Sequence, residues 1–162
     1  MMELKNYQLV VKGMKEGLLV HGFEVWQDPQ CDPIVEFVAD NLFYYFKCWN
    51  VKSPPKSENF LGLFHCKNVE SIKYVNPYET YPFLEELDYK CYYYELKNST
   101  WLQEWRRLKL KREPNWSKYN SINYKHFILM TRESYIEIIS SGIEFKKVKK
   151  TKNKLNLWSK LV

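Results

Sequence analysis

Apolar positions along this chain come in short runs, each closed off by glycine, proline or a polar cluster, the pattern of strands and hairpins. Leu9 to Val11 and Leu18 to Trp26, separated by the stretch Gly13 to Gly17, predict an N-terminal hairpin. Asp32-Pro33 has the form of a helix start, an acid at the N-cap followed by proline at the first helical position. Ile34, Phe37, Val38 and Leu42, with Asn41 and Tyr45, make a broad face at helical spacing, so a helix is predicted from about Pro33 to Cys48. The rival pattern is two strands meeting at Asp40-Asn41, because Phe43-Tyr44-Tyr45-Phe46 suits a strand equally well.

Ser53-Pro54-Pro55-Lys56-Ser57 ends that element as a loop, and Phe60 to Cys66, Ser71 to Val75 and Tyr89 to Leu96 follow as strands. Between the last two, residues 76–88 are acidic and interrupted by Pro77 and Pro82, which predicts an exposed connection. Ser99-Thr100 opens a helix: Thr100 with Gln103 fits a capping box, Trp101, Leu102, Trp105 and Leu108 form one apolar stripe, and Pro114 closes it. Tyr124 to Thr131 and Tyr135 to Ser140 form the clearest hairpin, turning around Arg132-Glu133-Ser134. Phe127 then faces Ile138 and Leu129 faces Ile136, while on the other side Ile128 faces Glu137 and Met130 faces Tyr135. Both faces are largely apolar, so these strands should be central and covered. Gly142 permits a further turn into Ile143 to Val148.

Strands outnumber helices and do not alternate regularly with them. The expected fold is therefore α+β, a single domain over 1–148 built on a mainly antiparallel twisted sheet with two main helices, followed by a basic extension over 149–162. A length of 162 residues and an aromatic content of 17% suffice for a core without metals or disulfides. Cys31, Cys48, Cys66 and Cys91 form no Cys-x-x-Cys pair and read as reduced thiols. With no secretory cleavage pattern and no apolar run of membrane-spanning length, a cytoplasmic protein without a membrane partner is expected.

Charge changes this picture more than composition does. Residues 1–98 hold 10 Lys and no Arg against 14 acids, net −4, whereas residues 99–162 hold 15 Lys and Arg against 5 acids, net +10. Two surfaces of opposite sign are hidden in the overall +6.

Candidate chemistry is sparse. The 5 glycines form no phosphate-cradling loop, and His21, His65 and His126 stand in no zinc-binding motif, so no cofactor or metal is expected. A site assembled at long range from His65, Cys66, Cys91 and His126 is left open by sequence. Glu85, Glu86 and Asp88 sit between turn-formers and read as a solvated charged surface rather than an acid–base pair. On the helix after Ser99, Arg106, Arg107 and Lys111 share the polar side with Gln103, opposite Trp101 and Trp105, while Lys109 and Arg112 lie nearer the tryptophans. Nucleic acid needs basic and aromatic groups on one accessible face, so this spacing favours tryptophans packed inward. The run Lys146-Lys147-Val148-Lys149-Lys150 reads as a solvated, weakly phosphate-binding segment.

The order of an aromatic helix ending near Phe46, a tyrosine-rich strand, the helix start Ser99-Thr100-Trp101-Leu102, then Tyr124-Lys125-His126-Phe127-Ile128-Leu129 and Ser134-Tyr135-Ile136-Glu137-Ile138-Ile139 resembles small bacterial immunity proteins of contact-dependent growth inhibition and other polymorphic toxin systems. The resemblance covers about the last two-thirds of the chain. It implies a non-enzymatic protein that binds one cognate toxin domain, often a nuclease, and occludes its active site. An acidic aromatic surface would suit a basic nuclease groove, and Tyr78, Glu79, Tyr81, Glu85, Glu86 and Asp88 supply one. The alternative is a nucleic-acid-binding module that uses Arg106, Arg107, Lys111 and the basic C-terminus. The positive net charge leaves open a reversed arrangement, an acidic toxin held by those same basic residues.

Overall fold

A computed structural model describes residues 5–9, 17–28, 30–50, 56–75, 90–130 and 134–151. Among them are ten strands and two helices: β1 (Lys5–Leu9), β2 (Gly17–Gln27), β3 (Ile34–Val38), β4 (Asn41–Trp49), β5 (Ser57–Lys67), β6 (Ser71–Val75), β7 (Lys90–Lys97), α1 (Thr100–Arg112), α2 (Trp116–Tyr119), β8 (Lys125–Met130), β9 (Tyr135–Ser140) and β10 (Gly142–Lys149). Every pairing is antiparallel, in the order β10-β5-β4-β2-β7-β8-β9-β6, with β1 added to β2 and β3 to β4. The architecture is α+β, mainly antiparallel sheet, as the pattern predicts. No helix among the described residues is long and apolar enough to cross a membrane.

The two ends of that order meet. β5 runs into β6 through three residues and β9 into β10 through Ser141, so β5–β6 and β9–β10 act as one long ribbon bent at a corner. Asn68, with φ at 48°, makes the bend. Ser141 N–H donates to the Lys67 carbonyl at 2.9 Å, and Glu70 N–H donates to the Ile139 carbonyl at 2.9 Å, which carries the ladder round the corner. The hydrogen-bonded circuit β4, β5–β6, β9–β10, β8, β7, β2 and back to β4 encloses one core. Leu42, Tyr44, Phe46 and Cys48 of β4 meet Phe64 and Cys66 of β5, Val25 of β2, Tyr93 of β7, Phe127 and Leu129 of β8, and Ile136 and Ile138 of β9. Across this interior the Tyr44 hydroxyl donates to the Met130 carbonyl, and Gln27 Nε2 donates to the same oxygen at 3.3 Å.

The predicted helix over 33–48 is instead the β3–β4 hairpin, the rival pattern. Ala39 and Asp40 form its turn, Ala39 with φ at 53°, and the register pairs Val38 with Asn41 and Ile34 with Tyr45. β4 is covered on both faces: alternate residues enter the core, while Tyr45 packs outward with Leu61 and Leu63. A strand buried on both sides reads as a continuous apolar run, and such a run also satisfies helical spacing.

Elsewhere the expected elements form. The N-terminal hairpin is β1–β2, its first strand described as Lys5–Leu9; Val10 and Val11 of the expected strand lie outside the described residues. β8 and β9 pair with the expected partners, Phe127 with Ile138, Ile128 with Glu137, Leu129 with Ile136 and Met130 with Tyr135, and every residue of β9 is buried. The N-cap of α1 is Ser99, not Thr100: Ser99 Oγ accepts from Leu102 N–H at 3.0 Å. Lys109, Lys111 and Arg112 in its last turn complement the helix dipole. The helix lies over Tyr124 and Ile139 through Leu102, with Trp101, Trp105 and Trp116 packed around them.

Candidate functional site

Among the described residues, the groups able to do chemistry fall in three places. Under α1, the outward side chains of β8 and β9 bring His126 and Glu137 together. His126 Nδ1 is 2.7 Å from Ser99 Oγ, and Nε2 is 3.0 Å from Glu137 Oε2. Trp101 stands edge-on to the imidazole at 4.9 Å, and Lys73 Nζ lies 3.9 Å from the centre of the Trp101 ring. Residue types and contacts match a nucleophile–base–acid chain. The surroundings disarm it: Ser99 and His126 are each 1% exposed and Glu137 is 4% exposed, so a substrate meets none of them. Ser99 Oγ also accepts from Leu102 N–H as the helix cap, so one hydroxyl holds both the start of the helix and the imidazole. The chain therefore pins α1 to the sheet. Ser99→Ala should cost about 2 kcal/mol in urea unfolding, because it removes a helix cap and strands a buried imidazole nitrogen.

The second place is the inner face of β7 near its end. The Glu95 carboxylate, buried, lies 3.6 Å from His21 Nε2 and 3.2 Å from Lys125 Nζ, and it accepts a hydrogen bond from Lys97. Burial alone would push its pKa up, but His21, Lys97 and Lys125 outweigh that and hold it down at about 2. Glu95 is thus a fixed anion at neutral pH and has no proton to give. His21 stacks on Tyr93 at 4.5 Å, and the Tyr93 hydroxyl is pushed up to about 12 by burial and then by Glu95.

Thiols and the remaining histidine make up the third. Burial pushes the Cys48 thiol up to about 12 and the Cys66 thiol higher still, so neither is a thiolate nucleophile. His65 points the other way from Cys66, stacking on Phe43 at 4.6 Å and meeting Asn41 Oδ1 at 2.8 Å. Burial lowers its pKa, with Lys146 and Lys67 adding to the effect. His126 lies under α1. The long-range set of His65, Cys66 and His126 is therefore not brought together, and the side chain of Cys91 falls outside the described residues. Among the described residues no group of three His, Cys, Asp or Glu is placed to hold a metal.

Of the basic surface, Arg106 Nη2 donates to the Tyr124 carbonyl at 2.9 Å, and Arg107 makes a two-pronged contact with Glu104 at 2.8 and 2.6 Å. Lys111 is exposed. Lys109 pairs with Glu70 at 3.1 Å and lies 5.9 Å from the centre of the Trp105 ring, near the tryptophan edge as expected. Two of the three residues assigned to phosphate thus have their guanidinium groups occupied within the protein. Tyr78, Glu79, Tyr81, Glu85, Glu86 and Asp88 lie outside the described residues.

One surface was not singled out by sequence. At the tip of the β3–β4 hairpin Phe37 is 56% exposed and Val38 is 61% exposed, next to Glu36 and Asp40. The signal for it is a charge gap: residues 16–46 contain Glu16, Glu24, Asp28, Asp32, Glu36 and Asp40 and neither Lys nor Arg. Comparison of the chain with protein-family models, curated proteins and solved structures finds no match.

Proposed function

We propose that this chain is a non-enzymatic immunity protein that binds a cognate bacterial toxin domain, of nuclease type, and occludes its active site in the cytoplasm. The observation that carries the reading is the contrast between sealed chemistry and open apolar surface. Ser99, His126 and Glu137 are buried and Glu95 is locked as an anion, while large apolar side chains stand in solvent beside carboxylates at Phe37 and Val38. A binding protein has reason to keep such a surface; a monomeric enzyme whose polar groups are closed off does not. The likeness of 124–129 and 134–139 to immunity proteins gives the partner its class. The acidic, tyrosine-bearing positions Tyr78, Glu79, Tyr81, Glu85, Glu86 and Asp88 suit the same basic partner.

The test is to search the neighbouring genes for a secreted toxin and to co-express its toxin domain with this chain; the lack of such a gene counts against the reading. The wild-type chain should restore growth and co-purify with the toxin. Glu85→Lys/Glu86→Lys/Asp88→Lys should weaken the complex roughly tenfold to a hundredfold, most of it in the association rate at low salt. Absence of both rescue and co-purification for the wild type sinks the reading, whereas unchanged affinity of the triple variant removes only the acidic segment from the contact.

A further inference from the structure

β3 is hydrogen-bonded to β4 along one side, and among the described residues nothing pairs with its other side. A turn of two residues makes Val38 and Asn41 a hydrogen-bonded pair, so Glu36 and Ile34 also direct their backbone groups at β4. Val35 and Phe37 then direct their N–H and C=O groups outward. This edge is held in place rather than frayed: Val69 N–H donates to the Asp40 carbonyl at 2.6 Å, Asn41 Nδ2 donates to Asp40 Oδ1 at 2.8 Å, and Val35 and Ile34 pack into the clusters on the two faces of β4.

An open strand edge invites another strand, and its side chains decide which. A second copy of this chain is disfavoured, because the register that overlaps two β3 edges fully about a two-fold axis sets Glu36 against its own counterpart. The edges at the two ends of the order differ in kind, since Lys146, Lys147 and Lys149 stud β10 and β6 carries Lys73 and no acid. β3 carries the opposite sign, in a span of the chain without a single Lys or Arg.

We propose that the free edge of β3 is a strand-addition site for an extended segment of a partner protein in which Lys or Arg alternates with apolar residues. The backbone groups of Val35 and Phe37 supply the hydrogen bonds, Phe37 covers the apolar side chains of the incoming strand on one face, and Glu36 meets its cations on the other, with Asp40 beside them in the turn. The inference rests on the reading of this chain as a protein-binding one, and it names a contact separate from residues 78–88.

The test uses a synthetic probe, so it does not depend on the toxin. The isotope-labelled full chain is titrated with the capped peptide Lys-Val repeated four times and with its Glu-Val counterpart, following backbone amide signals. Shifts confined to 34–38 are expected, with the lysine peptide bound about tenfold or more tighter than the glutamate one and the preference shrinking at high salt. Phe37→Pro, which removes an outward N–H while leaving the β4 ladder intact, should abolish binding. Glu36→Lys/Asp40→Lys should reverse the peptide preference, and this variant keeps the test decisive if the proline disturbs the hairpin. Shifts centred elsewhere, equal binding of the two peptides, or slow exchange of the Val35 and Phe37 amides in the free chain, meaning that another segment of it already covers the edge, would each overturn the proposal. Any of those results leaves the toxin-binding reading to its own experiment.

Discussion

Phe46→Ala is expected to remove about 3–5 kcal/mol of stability, a large share of the roughly 5–15 kcal/mol typical of a domain this size. Phe46 is fully buried at the centre of the enclosed core, tilted against Phe64 at 5.1 Å and Tyr44 at 6.0 Å. Its ring lies directly over Gly62, its register partner on β5: a Cβ built on Gly62 would stand 2.2 Å from Phe46 Cζ and 2.3 Å from Cε2. The glycine is there for the ring. Gly62→Ala alone should therefore also destabilise, by about 1–3 kcal/mol, as overpacking of a closed core does. The double variant separates this from a general intolerance of β5. With the ring gone, the added methyl enters the vacated space, so Gly62→Ala on the Phe46→Ala background should cost little or stabilise. Urea unfolding of the four proteins gives the coupling, and additive losses would show that Gly62 is needed for some other reason.

How much of this was legible in the sequence depends on what each segment packs against. β8 and β9 were readable to the residue because alternation, turn position and side-chain type agree, and the pairing followed from them. The β3–β4 hairpin was not, because Asp32-Pro33 carries a helix-start signature and the residues after it satisfy both periods. What decides in favour of strands is the pairing of β4 with β5, more than a dozen residues away, which local pattern does not contain. The Ser99–His126–Glu137 contact was within reach: once Ile128 faces Glu137, His126 is the same-face diagonal neighbour of that glutamate. What pattern alone could not supply was α1 folding back over that face to bring Ser99 onto the ring. The open edge at Phe37 was hidden by the helix reading itself, since a helix has no edge. Closure of the sheet was likewise invisible, because it depends on a bend at Asn68 and a single residue at Ser141.

Glu95→Gln is expected to destabilise the protein by about 2–3 kcal/mol at pH 7, with the gap closing as the pH falls. The carboxylate has its ordinary pKa near 4.5 when unfolded and about 2 when folded. A depressed folded-state value means that the native protein holds its proton less tightly than the unfolded chain. The stabilisation is therefore complete above about pH 4.5, declines between there and about pH 2, and is gone below. Its size is set by geometry: the carboxylate is 5% exposed while Lys97 and Lys125 are 48% and 38% exposed, so one buried charge is served by two cations that stay largely hydrated. Glutamine keeps the shape and some of the hydrogen bonds but loses the charge. Urea unfolding of both proteins from pH 7 down to pH 2 should show two curves that converge on the acid side. A gap that stays constant across that window would mean that the cluster at the end of β7 acts through packing alone, and Glu95 would then not be the anion that its three partners imply.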